Sequence, residues 1–237
     1  MKHRGKHSND DKNFGLKWHT TFAEAAQDLS FLLGRKYGEK SALALVGNRY
    51  QLNKRQQRAL SLISCPYDKI NTRNSKRLSA NHLENKTVVI DGYNLLITIE
   101  VALSGGYLFV GQDGCIRDIA SVHGTYKKVE ETIPALKLID EALKELKVAH
   151  VKWYFDAPVS NSGRLKTLLY ALAEERASNW EVELVYNPDT TLIQQNNICI
   201  TADSWILDEV AAYFDLAGYL IAQKIPDARI LNFFEEK

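Results

Sequence analysis

The chain has 237 residues, of which 45% are hydrophobic and 25% charged, which is the composition of an ordinary globular protein. It contains no apolar run of the roughly 20 residues needed to span a bilayer, and its polar start lacks the apolar segment of a secretory signal, so we expect a cytoplasmic protein without a membrane partner. The net charge of +1 hides 17 Lys and Arg against 7 Asp and Glu in residues 1–86, and 13 against 22 in the remainder.

This charge asymmetry favours an anionic partner, such as nucleic acid, for the first part of the chain. An attraction between the two oppositely charged parts explains it equally well, as does a solvated surface. Arg49, Lys54, Arg55 and Arg58 lie near Tyr50 in this part, and a basic cluster with one aromatic can follow an RNA backbone.

The first part of the chain is predicted to be mainly helical. Residues 1–18 are polar and expected to be disordered. Residues 19–66 are predicted to form a small basic helical unit, opened by the capping-box sequence at Thr21. About 50 residues are too few for a stable core, so we expect this unit to dock on the rest of the chain. Residues 67–86 are polar and are predicted to be a connector.

From Thr87 onward, β-branched runs alternate with helical periodicity. The predicted strands begin near residues 87, 151, 180, 197 and 228, and a Gly-rich stretch at 105–117 is predicted to hold a hairpin. This alternation predicts an α/β domain over residues 87–237, a three-layer α/β/α sandwich with a mainly parallel five-stranded sheet.

Three of the predicted strands end in an aspartate. Asp91 follows the first strand, Asp156 the second and Asp203 the fourth. The carboxyl ends of parallel strands meet at one edge of a sheet, where ligands collect. We therefore expect these carboxylates to converge, with Asp208 one helical turn beyond Asp203 assisting them.

Converging carboxylates favour a hard divalent cation, Mg²⁺ or Mn²⁺, with Asp91, Asp156 and Asp203 as ligands. Such a site suits phosphodiester hydrolysis, because the metal supplies an activated water and no protein nucleophile is needed. Each aspartate also has a structural alternative: Asp203 as a helix cap, Asp91 in a turn, and Asp156 bonded to loop amides.

The strand sequence VVIDGYNLL resembles the first strand of the PIN-like superfamily, and of its NYN branch in particular. The resemblance covers about residues 87–234 and implies a metal-dependent nuclease. It implies Asp91 as a metal ligand and Asn94 as a site residue, with Asp156 and Asp203 at the later strand ends. Many members carry a further acidic residue on a helix, and its candidates here are Glu100, Asp118, Glu130 and Glu131.

The stretch from Phe22 to Leu60 is similar to a prokaryotic family, domain of unknown function 434. That family is often followed by a segment like this one. The similarity implies no activity.

Several polar residues are candidate substrate contacts. Arg117 and His123 lie in the Gly-rich insertion, where Arg117 can pair with a phosphate or with Asp118. Asn161, Ser162 and Arg164 open a predicted helix whose amides can attract phosphate, although a plain cap is the simpler interpretation. Ser204, which begins the predicted helix after Asp203, is the last candidate substrate contact.

Cys65, Cys115 and Cys199 are odd in number and far apart, which favours reduced, buried thiols over disulfides or a zinc site.

The leading hypothesis is a divalent-metal-dependent ribonuclease with Asp91, Asp156, Asp203 and Asp208 as catalytic residues and RNA as partner. One alternative is a non-catalytic RNA-binding or regulatory protein on the same fold, and another is a nucleotide-binding or phosphotransfer enzyme with its ligand near Ser162. The oligomeric state is open, with a homodimer as one option.

Overall fold

The structure is a computed structural model that describes residues 3–120 and 124–234, and from Thr87 onward strands alternate with helices. The strands are β1 (Thr87–Asp91), β2 (Tyr107–Val110), β3 (Ile116–Asp118), β4 (His150–Asp156), β5 (Trp180–Val185), β6 (Ile198–Ile200) and β7 (Arg229–Leu231). The helices are α1 (Asp10–Phe14), α2 (His19–Gly34), α3 (Glu39–Arg49), α4 (Lys54–Ile63), α5 (Tyr67–Lys76), α6 (Gly92–Leu103), α7 (Thr132–Glu145), α8 (Ser162–Glu175), α9 (Pro188–Gln194), α10 (Ser204–Glu209) and α11 (Leu216–Lys224).

The central sheet is parallel and has four strands in the order β5-β4-β1-β6. The predicted parallel α/β class is confirmed, but the prediction of five strands in this sheet is wrong. The last strand, β7, pairs instead with β2, which forms an antiparallel hairpin with β3. The Gly-rich insertion thus offers a second edge for pairing, and β7 joins that three-stranded sheet.

Helices cover both faces of the central sheet because alternate side chains of a strand point to opposite sides. Val88 and Ile90 of β1 belong to the main core, to which α6, α7, α8 and α11 contribute. Val89 lies in a separate core cluster with Leu192 of α9 and Ile206 of α10.

The N-terminal unit docks on the small sheet, as expected. Its core combines Phe22 with Phe109 of β2 and Phe233, whose ring stacks on that of Phe22 at 4.6 Å between centroids. Phe14 of α1 is 1% exposed in the same cluster. The prediction of disorder up to residue 18 is therefore wrong for α1, because Phe14 supplies apolar area that a small helical unit lacks.

The predicted connector at 67–86 is also partly helical, since α5 occupies Tyr67–Lys76. Arg73 of α5 is 3% exposed and donates to Asp113 and Asp208 of the α/β domain, while Tyr67 of α5 donates to the carbonyl of Gln27 in α2 over 3.4 Å. The segment is thus part of the interface between the two, and its many asparagines do not mark a free linker.

Within the described part of the chain, no helix is both long and apolar enough to cross a membrane. All three cysteines are buried free thiols. Burial raises the pKa of Cys65 to about 12, which keeps this thiol protonated and unreactive.

Candidate functional site

The first and last strands of the central sheet meet where the strand order reverses. The chain builds outward from β1 to β4 and β5, and then returns to the other side of β1 with β6. At such a reversal the loops after neighbouring strands diverge and leave a crevice, which is where open α/β sheets bind ligands. Asp91 ends β1 at this crevice, and Asp203 follows β6 on its other side.

A threonine hydroxyl links the two sides of the crevice. Thr201 Oγ1 donates a hydrogen bond to Asp91 Oδ2 over 2.9 Å and accepts one from the backbone amide of Asp203 over 3.0 Å. Asp203 Oδ1 caps α10 by accepting from the amides of Trp205 and Ile206. The structural alternative for Asp203 therefore holds for that one oxygen, while Oδ2 lies outside the cap.

Asp91 occupies the cap position of α6, but its side chain makes no capping hydrogen bond. Burial, together with the charges of Asp203 and Asp189, raises the pKa of Asp91 to about 7, although the hydrogen bond from Thr201 opposes the shift. At neutral pH this carboxyl is therefore poised between its two protonation states.

Asp189 was not among the predicted site residues, although it follows β5 by the same rule that identified the others. It lies in the first turn of α9. Its pKa is raised by burial and by the charges of Asp203 and Asp156. Its sequence signal was the Asn187-Pro188-Asp189 turn at a strand end. We call Asp91, Asp156, Asp189 and Asp203 the acidic rim.

The four aspartates of the acidic rim are partly buried, and no Lys or Arg in residues 3–120 and 124–234 forms an ion pair with any of them. Other aspartates are paired: Asp10 with Arg55, Asp113 with Arg73, and Asp140 with Arg176. Burying unpaired carboxylates costs free energy, so this edge of the sheet carries a negative charge that the described chain does not compensate.

The acidic rim suits a divalent cation that needs only one or two protein ligands. In the described ranges, no group of three or more His, Cys, Asp or Glu side chains is spaced to surround a metal ion. This does not suit a site built from protein ligands alone, as for zinc. Mg²⁺ commonly uses one or two carboxylates together with waters and substrate phosphates, and Asp91 and Asp203 match that smaller donor set.

Asp208, a predicted catalytic residue, lines a cavity together with Asp203, but its carboxylate is already ion-paired. Arg73 Nε donates to Asp208 Oδ1 over 2.7 Å, and Lys69 Nζ lies 3.9 Å from Asp208 Oδ2. Arg73 Nη1 also donates to Ser204 Oγ over 3.2 Å. The predicted catalytic role of Asp208 and substrate-binding role of Ser204 are therefore corrected. Both side chains accept hydrogen bonds from the buried guanidinium of Arg73 and so hold α10 against α5.

Arg117, a predicted phosphate contact, is 5% exposed and forms a bidentate pair with Asp113 at 2.7 and 2.8 Å. Its Nε donates to the carbonyl of Ala202 over 2.7 Å. Burial opposes the charge on Asp113, but the guanidinium groups of Arg117 and Arg73 hold its pKa well below the usual range. Arg117 therefore anchors the loop after β6 and has no free donor face for a substrate.

Asn94 stands at the crevice, as predicted, in the first turn of α6. Its Oδ1 accepts a hydrogen bond from the amide of Ala202 over 3.0 Å. Asn94 thus fixes the distance between α6 and the loop that carries Asp203, and its amide nitrogen is not used in this contact.

The residues predicted to bind phosphate at α8 lie beside another cavity, of about 670 Å³. Asn161 adopts a left-handed conformation, with φ of 71°, and donates to the carbonyl of Tyr126. Ser162 is buried and donates to the carbonyl of Ala157 over 3.3 Å, so it does not face a ligand. Arg164 is exposed at the cavity. His123, also predicted, lies outside the described residues.

Two candidates for the helix-borne acidic residue have structural partners. Glu100 is fully buried, pairs with Arg4, and accepts hydrogen bonds from Tyr126 and Thr132. Asp118 accepts from Thr98 Oγ1 over 2.8 Å, and burial raises its pKa to about 6.

Residues 80–219 match the family described as "Domain of unknown function (DUF5616)", and residues 21–76 match "Protein of unknown function (DUF434)". A Methanocaldococcus jannaschii protein named "Uncharacterized protein MJ0935" is 32% identical over 188 residues, which are 78% of this chain and 88% of that relative. No solved structure matches the chain. The expected DUF434 relationship is confirmed, and neither matching family is described as a PIN-like or NYN nuclease. The chain belongs to the DUF5616 family and carries a DUF434 segment in front of that domain.

Proposed function

We propose that the acidic rim binds a divalent cation, Mg²⁺ or Mn²⁺, and that the protein is a ribonuclease hydrolysing phosphodiester bonds there. The observation that carries this proposal is the group of four partly buried aspartates without a cationic partner in the described chain. They lie at the strand-order reversal, and their charges raise the pKa of Asp91 and Asp189. A cation would remove this repulsion.

In this proposal Asp91 and Asp203 hold the cation, with Thr201 orienting Asp91 through its hydroxyl. When bound, the cation lowers the pKa of a water molecule and stabilises the charge that develops on the phosphate. Asp189, whose pKa is raised, is suited to accepting the proton of the attacking water. Asn94 keeps the two sides of the crevice at a fixed distance.

Exposed aromatic residues next to the rim support a single-stranded nucleic acid as substrate. Trp205 follows Asp203 and is 51% exposed, and Tyr186 follows β5 and is 87% exposed. Trp205 and Asp203 line a cavity of about 400 Å³ that extends to the N-terminal unit. Bases stack on such side chains with little sequence preference.

The second candidate is a protein on the same fold that binds RNA without cleaving it. The absence of a three-residue metal-ligand group in the described residues favours it. It predicts RNA binding that survives neutralisation of Asp91, with no cleavage by the wild type.

The test combines cation binding with RNA cleavage in wild type, Asp91→Asn and Asp227→Asn. Asp227 is an exposed aspartate before β7 and provides the matched control. We expect wild type and Asp227→Asn to bind Mn²⁺, as monitored by electron paramagnetic resonance, and to cleave RNA. Asp91→Asn should lose both Mn²⁺ binding and RNA cleavage. Equal cleavage by all three proteins, or no Mn²⁺ binding by the wild type, would falsify the proposal.

A further inference from the structure

A cavity of about 660 Å³ lies between the N-terminal segment, α4 and the segment before α7. We call it the basic groove. No Asp or Glu occurs among its described lining residues, whereas six lining residues are Lys or Arg. These are Arg4, Lys6, Lys54, Arg55, Arg58 and Lys127.

Only part of this positive charge is neutralised. Arg4 pairs with buried Glu100, and Arg55 Nη2 donates to Asp10 Oδ2 over 2.8 Å. These two arginines therefore attach the N-terminal segment to the rest of the molecule.

The other four cations of the groove form no close ion pair in the described ranges, although Lys6 acts on the carboxyl of Asp11 at longer range. Lys6, Lys54 and Lys127 are exposed and form no ion pair there. Arg58 donates from Nη2 to the carbonyl of Ala120 over 3.3 Å, and its charge opposes the burial that raises the pKa of Asp118.

These cations come from three separate segments, so one solvated helix face does not explain the groove. Gathering like charges in a concave surface costs electrostatic free energy and focuses a positive potential. An anion with several charges recovers that cost, because each neutralised phosphate also releases condensed counterions.

We infer that the basic groove binds the phosphate backbone of single-stranded RNA. The inference rests on the proposed function for the identity of the anion. Thr98 of α6 bonds to Asp118 Oδ2, and Asp118 Oδ1 accepts from the amide of Ala120 in the groove wall over 2.8 Å. Thr98 lies about 10 Å along α6 from Asp91, so one helix connects the groove wall to the acidic rim.

The experiment measures binding of a labelled single-stranded RNA of about 12 nucleotides to the full chain in EDTA, so that cleavage plays no part. The triple variant Lys6→Glu, Lys54→Glu, Lys127→Glu is compared with wild type. The matched control, Lys12→Glu, Lys40→Glu, Lys86→Glu, changes the net charge equally at exposed lysines outside the groove.

We expect the groove variant to raise the RNA Kd at least about tenfold and to reduce the slope of log K against log salt by about 2. The control should stay within about threefold of wild type. The inference is overturned if both triple variants bind alike, or if wild type binds no RNA. It is also overturned if vesicles of phosphatidylserine and phosphatidylcholine bind in place of RNA, or if millimolar inorganic phosphate displaces RNA at constant ionic strength. Loss of cleavage in Asp91→Asn with unchanged RNA affinity would leave this inference intact.

Discussion

Thr201 donates its hydroxyl hydrogen to Asp91 Oδ2 over 2.9 Å, and this contact joins the two strands on either side of the strand-order reversal. The same oxygen accepts the amide of Asp203. One short side chain therefore orients the Asp91 carboxylate and positions the backbone that presents Asp203. The geometry of the acidic rim depends on this threonine as much as on the aspartates.

Replacing Thr201 with valine keeps the shape of this buried side chain and removes the hydroxyl. The hydrogen bond favours the charged form of Asp91, so the pKa of Asp91 should rise in Thr201→Val. Carboxyl carbon shifts followed by NMR across a pH titration measure this. In a ribonuclease, the pH at which activity appears should move upward with it.

The control is Thr167→Val, which removes an exposed hydroxyl bonded to the carbonyl of Gly163 in α8. It should leave the titration of Asp91 unchanged. If Asp91 titrates at the same or a lower pH in Thr201→Val, the hydroxyl does not stabilise the carboxylate.

The raised pKa of Asp91 makes stability depend on pH. Its pKa lies at about 7 in the folded state, against an ordinary value of 3.8. Below about pH 4 the carboxyl is protonated in both states and costs nothing. Between these values the unfolded chain releases a proton that the folded chain keeps, so stability falls as pH rises, and the full cost is reached above about pH 7.

Asp91→Asn abolishes this titration. In EDTA, the free energy of unfolding of Asp91→Asn relative to wild type should therefore be larger at pH 8 than at pH 4, by roughly 4 kcal/mol. Urea unfolding at the two pH values measures the difference. An unchanged difference between variant and wild type from pH 4 to pH 8 would show that Asp91 has an ordinary pKa.

Asp113 should be among the most sensitive positions for stability. It pairs with both Arg73 and Arg117, and its removal leaves the buried guanidinium of Arg117 without an acidic partner and that of Arg73 with Asp208 alone. Asp113→Ala should lower the free energy of unfolding by about 3–5 kcal/mol, as measured by urea unfolding. Asp68→Asn, an exposed carboxyl at the start of α5, should change it by less than about 0.5 kcal/mol. Similar small effects for both would refute the importance of this network.

Two glycines in the first turns of α6 and α8 should respond oppositely to alanine. A Cβ on Gly92 would overlap the Phe155 ring, whereas a Cβ on Gly163 meets nothing within 4 Å. Gly92→Ala should cost about 1–3 kcal/mol through strain in the packed core. Gly163→Ala should stabilise by up to about 1 kcal/mol. Thermal unfolding of both variants gives the comparison, and equal shifts would argue against close packing at Gly92.

Local sequence patterns predicted those features that depend on only a few neighbouring residues. The β-branched run at 87–91 predicted the buried strand β1, and the strand-end rule predicted that Asp91, Asp156 and Asp203 lie at one edge of the sheet. The same rule applied to the Asn187-Pro188-Asp189 turn would have added Asp189.

Long-range partners decided the remaining assignments. Asp208 carries a charge that suits a metal site, and nothing nearby in sequence shows that Arg73 already neutralises it. The strand β7 has the pattern of a central strand, but its partner is the hairpin strand β2 more than 110 residues earlier.

The parallel α/β class, the helical character of the first part and the positions of the strand ends could be predicted from local patterns. These features follow from periodicity and chain connectivity, which act over a few residues. Local patterns did not predict which charges are neutralised, which strands share a sheet or which segments line the basic groove. Those outcomes depend on the free energy of burying groups that are distant in sequence. A local sequence pattern does not identify the distant residue with which a group pairs.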